Sequence, residues 1–412
     1  MSSEYYDSLE TRDPQVREAG QFKELPAHLH RVSRRAGFVK QQLDGIDIDS
    51  LCSREALARV PVVRKSELID IQQRSLPFGG MVACEKGALR RVFASPGPIF
   101  EPETNRRDSW RISRALFAAG VREGMLVHNT FSYHFVPAGM MLESGIFQLG
   151  CTVLPAGTGQ TEYQVSTIAM LKPQVYTGTP SFLKIILDHA EQSDADVSSI
   201  SMALVSGEAL PPSLRSQFDQ RGVKVKQAYA TADAGLIAYE SEAMEGLIVD
   251  EGVIVEIVQP GTDAPVAEGE VGEVVVTVFS EDYPLLRFGT GDMSCVMEGR
   301  SPCGRTNMRI KGWMGRADQS TKIRGLFVHP SYVAAIVKRF EELQRARIVV
   351  TTRDDQDVMT LLCEVSSRTE NLTERLKQCV REVCNLRSDI ELVQPGEIPR
   401  DGVVIEDARS YE

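Results

Sequence analysis

Apolar positions recur every three or four residues through "QVREAGQFKELPAHLHRVSRRAGFVKQQL", and this helical period predicts helices over residues 5 to 75, broken at Pro26. "RKSELIDIQQR" predicts a further capped helix. From about residue 92 the texture changes to short apolar runs alternating with helical segments: "RVFAS", "RDSWRISRALFAAG", "MLVHNTF", "GMMLESGIFQLG", "CTVLPAG", "TEYQVSTIAMLK", "QVYTGTP", "SFLKIILDHAEQ", "SMALVSGE", "SLRSQFDQRG" and "KVKQAYATAD". Strands separated by helices of that length need crossover connections, so the expected fold class is α/β with mainly parallel sheets. Ligands on such sheets sit beyond the carboxyl ends of the strands.

The pattern changes twice more. Period-two alternation in "GLIVDEGVIVEIVQPGTDAPVAEGEVGEVVVTVFS" predicts a small antiparallel β subdomain over about 246–300. After "MGRAD" at 314 to 318 come a helix, two strands, a second helix and a last strand, a complete α+β unit. The expected division is therefore an N-terminal domain over 1–317 and a C-terminal α+β domain over 318–412.

Charge narrows the partners. The 412-residue chain carries a formal net charge of -11, which argues against nucleic acid or an anionic membrane surface as the main partner, because both reward a basic face. The N-terminus "MSSEYYDSLETRDPQ" is acidic, and no run of about 18 apolar residues occurs, so a cytoplasmic protein is expected. The eight cysteines are scattered without CxxC spacing and are expected to be reduced. "SPCGRT" at 301 to 306 has no nearby partners to complete a zinc knuckle and reads as a turn.

Five stretches carry candidate chemistry. In "FASPGPIFEP", Ser95 and Gly97 form a turn that could present N–H groups and a hydroxyl to a phosphate, or a plain connecting turn. In "VSGEAL" and "QAYATADAG", Gly207 lets a flat base approach the backbone, Tyr229 can stack on it, Thr231 offers a hydroxyl and Asp233 can take a magnesium-bound phosphate. In "RFGTGDMS", Asp292 suits ribose hydroxyls. Finally, "RTNMRIKGWMGRADQSTKIRGLFVHP" concentrates Arg305, Arg309, Lys311, Arg316, Lys322 and Arg324 against one acid, Asp318, and is the expected local anion site.

Taken in order, "GQTEYQV…GTPSFL", "SGEAL", "YATAD", "RFGTGD" and "GRADQSTKIRG" resemble the motifs of the AMP-forming acyl-CoA synthetases, and within them the phenylacetate-CoA ligase branch, from about residue 92 to the C-terminus. The resemblance implies a carboxylic acid activated by ATP and Mg2+ as an acyl-adenylate and passed to coenzyme A, beneath a mobile C-terminal domain. It implies Ser95 and Gly97 in a phosphate loop, here shortened to "ASPGP" without the usual lysine. Gly207, Glu208 and Ala209 line the adenine, Tyr229, Ala230 and Thr231 form the aromatic clamp, and Asp233 replaces the magnesium-binding glutamate. Asp292 and Arg316 hold the ribose, Asp318 is the hinge, and Lys322, Arg324 and Gly325 face the coenzyme A half-reaction. Tyr133, His134 and Phe135 correspond to a wall of the carboxylate pocket and suit an aromatic acid, although a plain apolar segment is the other reading. The sequence does not fix the oligomeric state, a homodimer among the possibilities.

One position departs from the pattern. In "IPRDGVVIEDAR", Val403 occupies the place where the family carries a lysine that contacts both the substrate carboxylate and the α-phosphate. Removing one such donor costs roughly 3–4 kcal/mol of transition-state stabilisation in other enzymes. Either Arg400, Lys311 or another cation compensates, or adenylation is weakened or lost. The alternatives to a coenzyme A ligase are then an adenylating enzyme with another acceptor, an adenylyltransferase, or a nucleotide-binding pseudo-ligase.

Overall fold

The computed structural model describes residues 4–317, 321–324, 326–328, 330–353, 356–365, 371–399 and 403–409. The chain divides into two compact units, Met1–Met314 and Gly315–Glu412.

The first unit is organised around a nine-stranded sheet. Its parallel half runs Lys224–Thr231, Met202–Val205, Val175–Gly178, Leu126–Asn129 and Thr152–Pro155, with helices Ala138–Gln148, Thr161–Leu171, Pro180–Ser193 and Pro212–Gln220 in the connections. Helix Pro180–Ser193 shows how the sequence sets these connections. Thr179 accepts the Phe182 N–H at 3.3 Å, and Pro180 occupies the first turn, where a missing N–H costs nothing. Leu183, Ile186, Leu187 and Ala190 then form the buried stripe. Each buried Leu or Ile contributes roughly 1.5–3 kcal/mol. The other half of the sheet is antiparallel, adding Gly235–Glu240, Leu247–Val249, Arg309–Ile310 and Val296–Met297.

A second, four-stranded sheet joins Val253–Val258, Gly272–Val278 and Leu285–Ser294, antiparallel, to Val63–Arg64, which pairs parallel with Phe288 and Gly289. The antiparallel subdomain is thus narrower than the expected 246–300, because Leu247–Val249 and Val296–Met297 pair into the large sheet instead. The N-terminal segment is helical apart from that short strand. Its first helix runs unbroken from Pro14 to Ser33 through Pro26, correcting the expected break. Buried Phe22, Leu25, Leu29 and Val32 hold both sides of the proline on one apolar face, which offsets the lost backbone hydrogen bond. The helix Leu68–Arg74 lacks the expected side-chain cap.

In the second unit, strands Asp389–Val393, Gln356–Val365, Leu343–Arg353 and Ile405–Asp407 form one mixed sheet packed with helices Pro330–Lys338 and Leu372–Cys384. Thr321–Ile323 and Leu326–Val328 make a separate hairpin. That hairpin and the strand Ile405–Asp407 have no counterpart in the sequence-based expectation.

Candidate functional site

The parallel strands bring their carboxyl ends together, and the predicted motifs follow those ends. Gly178 ends one strand, and a Cβ there would collide with Thr130 Oγ1 and the Tyr176 phenol, so no side chain fits. The next strand ends at Val205, and Gly207 follows with φ 81, a conformation that favours glycine. Glu208 turns back to accept the Ser181 N–H at 3.4 Å, at the start of helix Pro180–Ser193, where the helix dipole favours an acid. Ala209 is half-buried beside it.

Tyr229, Ala230 and Thr231 end the strand Lys224–Thr231, and Thr231 Oγ1 accepts the Ala234 N–H at 3.0 Å in the turn to the next strand. The Tyr229 hydroxyl donates to Asp292 Oδ2 at 2.9 Å and lies 3.1 Å from Thr290 Oγ1. Trp313 Nε1 donates to the other carboxylate oxygen of Asp292 at 3.2 Å. Tyr229 and Asp292, far apart in sequence, are therefore direct partners.

Asp233 is held by a residue from the N-terminal segment. Its Oδ2 accepts from Lys65 Nζ at 2.7 Å, and its side chain is fully buried while Lys65 is 28% exposed. Nearby Glu101, 1% exposed, is pushed up to about 7, by burial first and then by the charge of Asp233, against opposing pulls from Ser95 and Lys65. Burial pulls Lys65 down, but Asp233, Glu101 and Asp292 together hold it above the ordinary lysine value. Lys65 and Glu101 were both absent from the sequence-based candidates. Asp233 Oδ1 is buried without a hydrogen-bond partner among the described residues, while Ser95 hydrogen-bonds the Glu101 carboxyl. A hard oxygen donor such as Asp233 Oδ1 suits a divalent cation, although no group of three or more His, Cys, Asp or Glu among the described residues is arranged to hold one.

Ser95 and Gly97 lie at the end of a hairpin, Leu89–Ser95 with Ile99–Thr104. Tyr133 and Phe135, with Arg91, Val92, Phe93, Ala94 and Phe100, line a cavity of about 490 Å³. Asn129 donates to the Tyr133 hydroxyl at 2.7 Å and to the Gly139 carbonyl at 2.9 Å, which fixes the phenol in the wall. His134 stacks edge-on against Phe135, ring centroids 4.7 Å apart, and is exposed.

The expected basic anion site is dispersed. Arg305, 1% exposed, donates from Nε to Glu10 at 2.9 Å and pairs with Glu242 at 3.3 Å. Arg309 pairs with Glu245 and donates to the carbonyls of Glu298 and Gly299. Both arginines are structural, because each faces an acid supplied by a distant segment.

Arg316, Lys322, Arg324 and Val403 belong to the second unit. The Arg324 guanidinium donates to the Asp357 carbonyl at 2.7 and 3.1 Å, and its N–H donates to the Asp357 carboxylate at 3.2 Å. Lys322 is half-buried in the strand Thr321–Ile323. Val403 is half-buried one residue before Val404, whose carbonyl accepts the Ile348 N–H at 3.0 Å. Asp318, Gly325 and Arg400 lie outside the described residues.

The AMP-binding enzyme family profile matches residues 109–278, and the AMP-binding enzyme C-terminal domain profile matches 325–406. The phenylacetate-coenzyme A ligase of Thermus thermophilus is 29% identical, over 96% of this chain and 96% of that enzyme. The phenylacetate-coenzyme A ligase of Escherichia coli is 26% identical, over 96% and 94%. These alignments reach well upstream of residue 92, where the sequence-based resemblance began. Among solved structures, a 2-hydroxyisobutyryl-CoA ligase in complex with 2-HIB-AMP and CoA shares the fold at a TM-score of 0.85, with 23% identity over 99% of this chain and 93% of that one.

Proposed function

Because the chain belongs to the AMP-binding enzyme family, we propose that it is an ATP-dependent, AMP-forming carboxylate–coenzyme A ligase of the phenylacetate-CoA ligase type, acting on an aromatic acid. In the first half-reaction a carboxylate oxygen attacks the α-phosphorus of ATP, forming the acyl–phosphate bond and breaking the bond to pyrophosphate. In the second, the thiol sulfur of coenzyme A attacks the acyl carbon, and AMP leaves with its oxygen and the bonding electrons.

The observation that carries this reading is the Tyr229–Asp292 hydrogen bond at 2.9 Å, which sets an aromatic face and a carboxylate side by side at the strand ends. Tyr229 stacks the adenine with Ala230 and Thr231 beside it, while Gly207, Glu208 and Ala209 form the opposite edge. Asp292 accepts the ribose hydroxyls. Ser95 and Gly97 contact the phosphates, and Lys65 supplies positive charge nearby. Tyr133 with Phe135 forms the wall toward the acyl group, and its aromatic lining favours an aryl acid. Asp233 would hold a magnesium ion, which when bound would neutralise phosphate charge. Asp318 takes the hinge role, and Lys322, Arg324 and Gly325 serve the thioester-forming step. A cytosolic, reducing setting fits the eight free cysteines.

Val403 favours a second reading, in which adenylation is slow and the protein works mainly from a preformed acyl-adenylate, as an adenylating enzyme with another acceptor, or as a pseudo-ligase. Pyrophosphate exchange driven by a panel of arylacetic and benzoic acids tests both readings. Exchange should depend on an aryl acid and rise up to a hundredfold in Val403→Lys, since a lysine donates to charge developing on the α-phosphate. Absence of exchange in both proteins, with AMP still bound, would remove the ligase reading in favour of the pseudo-ligase. Coenzyme A consumption then separates a ligase from an enzyme with a different acceptor.

A further inference from the structure

The stretch "GQTEYQV" supplies no residue to the ligase reading, yet its Gln164, 3% exposed, has both amide hydrogens and its carbonyl bonded. Gln164 Nε2 donates to the carbonyls of Gly157 and Gly159 at 2.8 and 2.7 Å. Two carbonyl acceptors fix which end of the amide is nitrogen, so Oε1 faces His128 Nε2 at 2.7 Å and the imidazole must be the donor. His128 is fully buried in the strand Leu126–Asn129, and burial pulls it below the ordinary histidine value, so it is neutral with its proton on Nε2. Its Nδ1 is then a buried acceptor without a partner among the described residues, a cost that an apolar residue at 128 would avoid. The loop that this pair holds is Ala156–Gln160, at the carboxyl end of the strand Thr152–Pro155. Residues 158–160 are exposed, and a Cβ at Gly157 or Gly159 would meet nothing within 4 Å, so hydrogen bonds rather than packing set the loop's course. At its start the Ala156 and Gly157 N–H groups donate to the Asn129 carbonyl at 3.0 and 3.1 Å, and Asn129 is the residue whose amide holds the Tyr133 hydroxyl.

We propose that Gln164, oriented by His128, is a positioning residue that holds the loop Ala156–Gln160 and, through Asn129, the Tyr133 wall of the acyl pocket. The inference rests on the ligase reading and adds two buried residues that act through others. Without the Gln164 amide, the Gly157 and Gly159 carbonyls lose their donor, and the loop whose N–H groups anchor on Asn129 loosens. The disturbance then falls where the acid binds, because the nucleotide residues Tyr229 and Asp292 lie on other strands. A misplaced wall of this kind shows as a raised KM for the acid rather than for ATP.

The test uses the full chain and compares Gln164→Met, which keeps the volume without either donor, and His128→Leu with His128→Gln, whose amide can reach the place of Nε2. Hydrogen exchange followed by mass spectrometry should show faster exchange of the Ala156 and Gly157 amides in Gln164→Met and His128→Leu, and near wild-type exchange in His128→Gln. In pyrophosphate exchange with the most active aryl acid of the panel above, the two disruptive variants should raise KM for the acid about tenfold and leave KM for ATP within about twofold, and His128→Gln should restore it. The His128 pair keeps the test decisive even if Gln164→Met fails to fold. Acid and ATP KM values that rise together, an unchanged acid KM, or unchanged amide exchange in the loop overturns the proposal. A wild type without pyrophosphate exchange defeats the ligase reading and with it the assignment to an acid, while amide exchange separately decides whether Gln164 and His128 hold the loop.

Discussion

Glu10→Ala is the most revealing single change outside the candidate site, because it asks whether the basic residues near 305 serve a ligand or the fold. Glu10 is 1% exposed. Its Oε1 accepts from Arg114 Nη1 and from the Tyr239 hydroxyl, both at 3.1 Å. Its Oε2 accepts from Arg305 Nε at 2.9 Å and from the Tyr6 N–H at 3.3 Å. Without it, Arg114 keeps two acids, Asp7 at 2.8 Å and Asp250 at 3.4 Å, whereas buried Arg305 keeps one among the described residues, the half-exposed Glu242 at 3.3 Å, besides the Glu4 carbonyl at 3.4 Å. Removing one partner of a buried ion pair costs about 3–5 kcal/mol, and we take about 3 because Arg114 remains compensated.

For the 314-residue first unit, an unfolding entropy of about 2.1 cal/mol/K per residue gives about 0.66 kcal/mol/K, so about 3 kcal/mol lowers the melting temperature by about 5 °C. Differential scanning calorimetry of wild type, Glu10→Ala and Glu10→Gln measures it. The glutamine keeps the volume and should cost nearly as much, since what is lost is charge. A shift under about 1.5 °C in both variants, equivalent to about 1 kcal/mol, refutes the assignment of Arg305 and Arg114 to a buried scaffold network.

Three further outcomes are expected. Tyr229→Phe removes the donor to Asp292 and should cost about 1.5–3 kcal/mol of stability for a hydrogen bond to a charged group, and weaken AMP binding by calorimetric titration. An unchanged AMP affinity would take Tyr229 out of the nucleotide site. Gly178→Ala forces a Cβ into Thr130 and Tyr176 and should destabilise by about 1–3 kcal/mol in denaturant titration. In the second unit, burial pushes Asp407 up, but hydrogen bonds from Arg409 Nε and Thr321 Oγ1, both at 2.7 Å, outweigh it and hold the acid below its ordinary 3.8. A lowered folded-state value means stability present above about 3.8 and lost as the pH falls further. Thermal unfolding of wild type should therefore decline more steeply than Asp407→Asn below that pH, and parallel curves would contradict it.

How much of this was legible follows from the range of each interaction. The parallel strands and their crossover helices could be read because period, caps and turns act within a few residues of one another. Thr179, Pro180 and the stripe from Leu183 to Ala190 all lie in one short stretch. The strand-end motifs share that locality, so Gly207, Tyr229 and Asp292 stand out as candidates without knowledge of their partners. Pairing was another matter. Val63–Arg64 joins Phe288–Gly289, and nothing in "VPVVRKSE" announces a partner so distant in sequence. Pro26 was misread because helix propensity counts the lost hydrogen bond and not the apolar face that keeps the helix docked.

Charges misled most, since a charged run looks alike whether its counter-ions come from solvent, a ligand or another segment. Arg305 finds Glu10 across 295 residues, and Lys65 finds Asp233 across 168. Glu101 did leave a trace. In Ile99–Thr104 the residues Ile99, Glu101 and Glu103 share one face and are all buried, so two acids occupy positions where an apolar residue belongs. Glu103 is answered by Arg91 at 2.7 Å, but Glu101 has no such answer among the described residues. An acid in an inward register without a basic neighbour on the facing strand is thus a signal readable from pattern alone, and here burial answers it by pushing the carboxyl up to about 7.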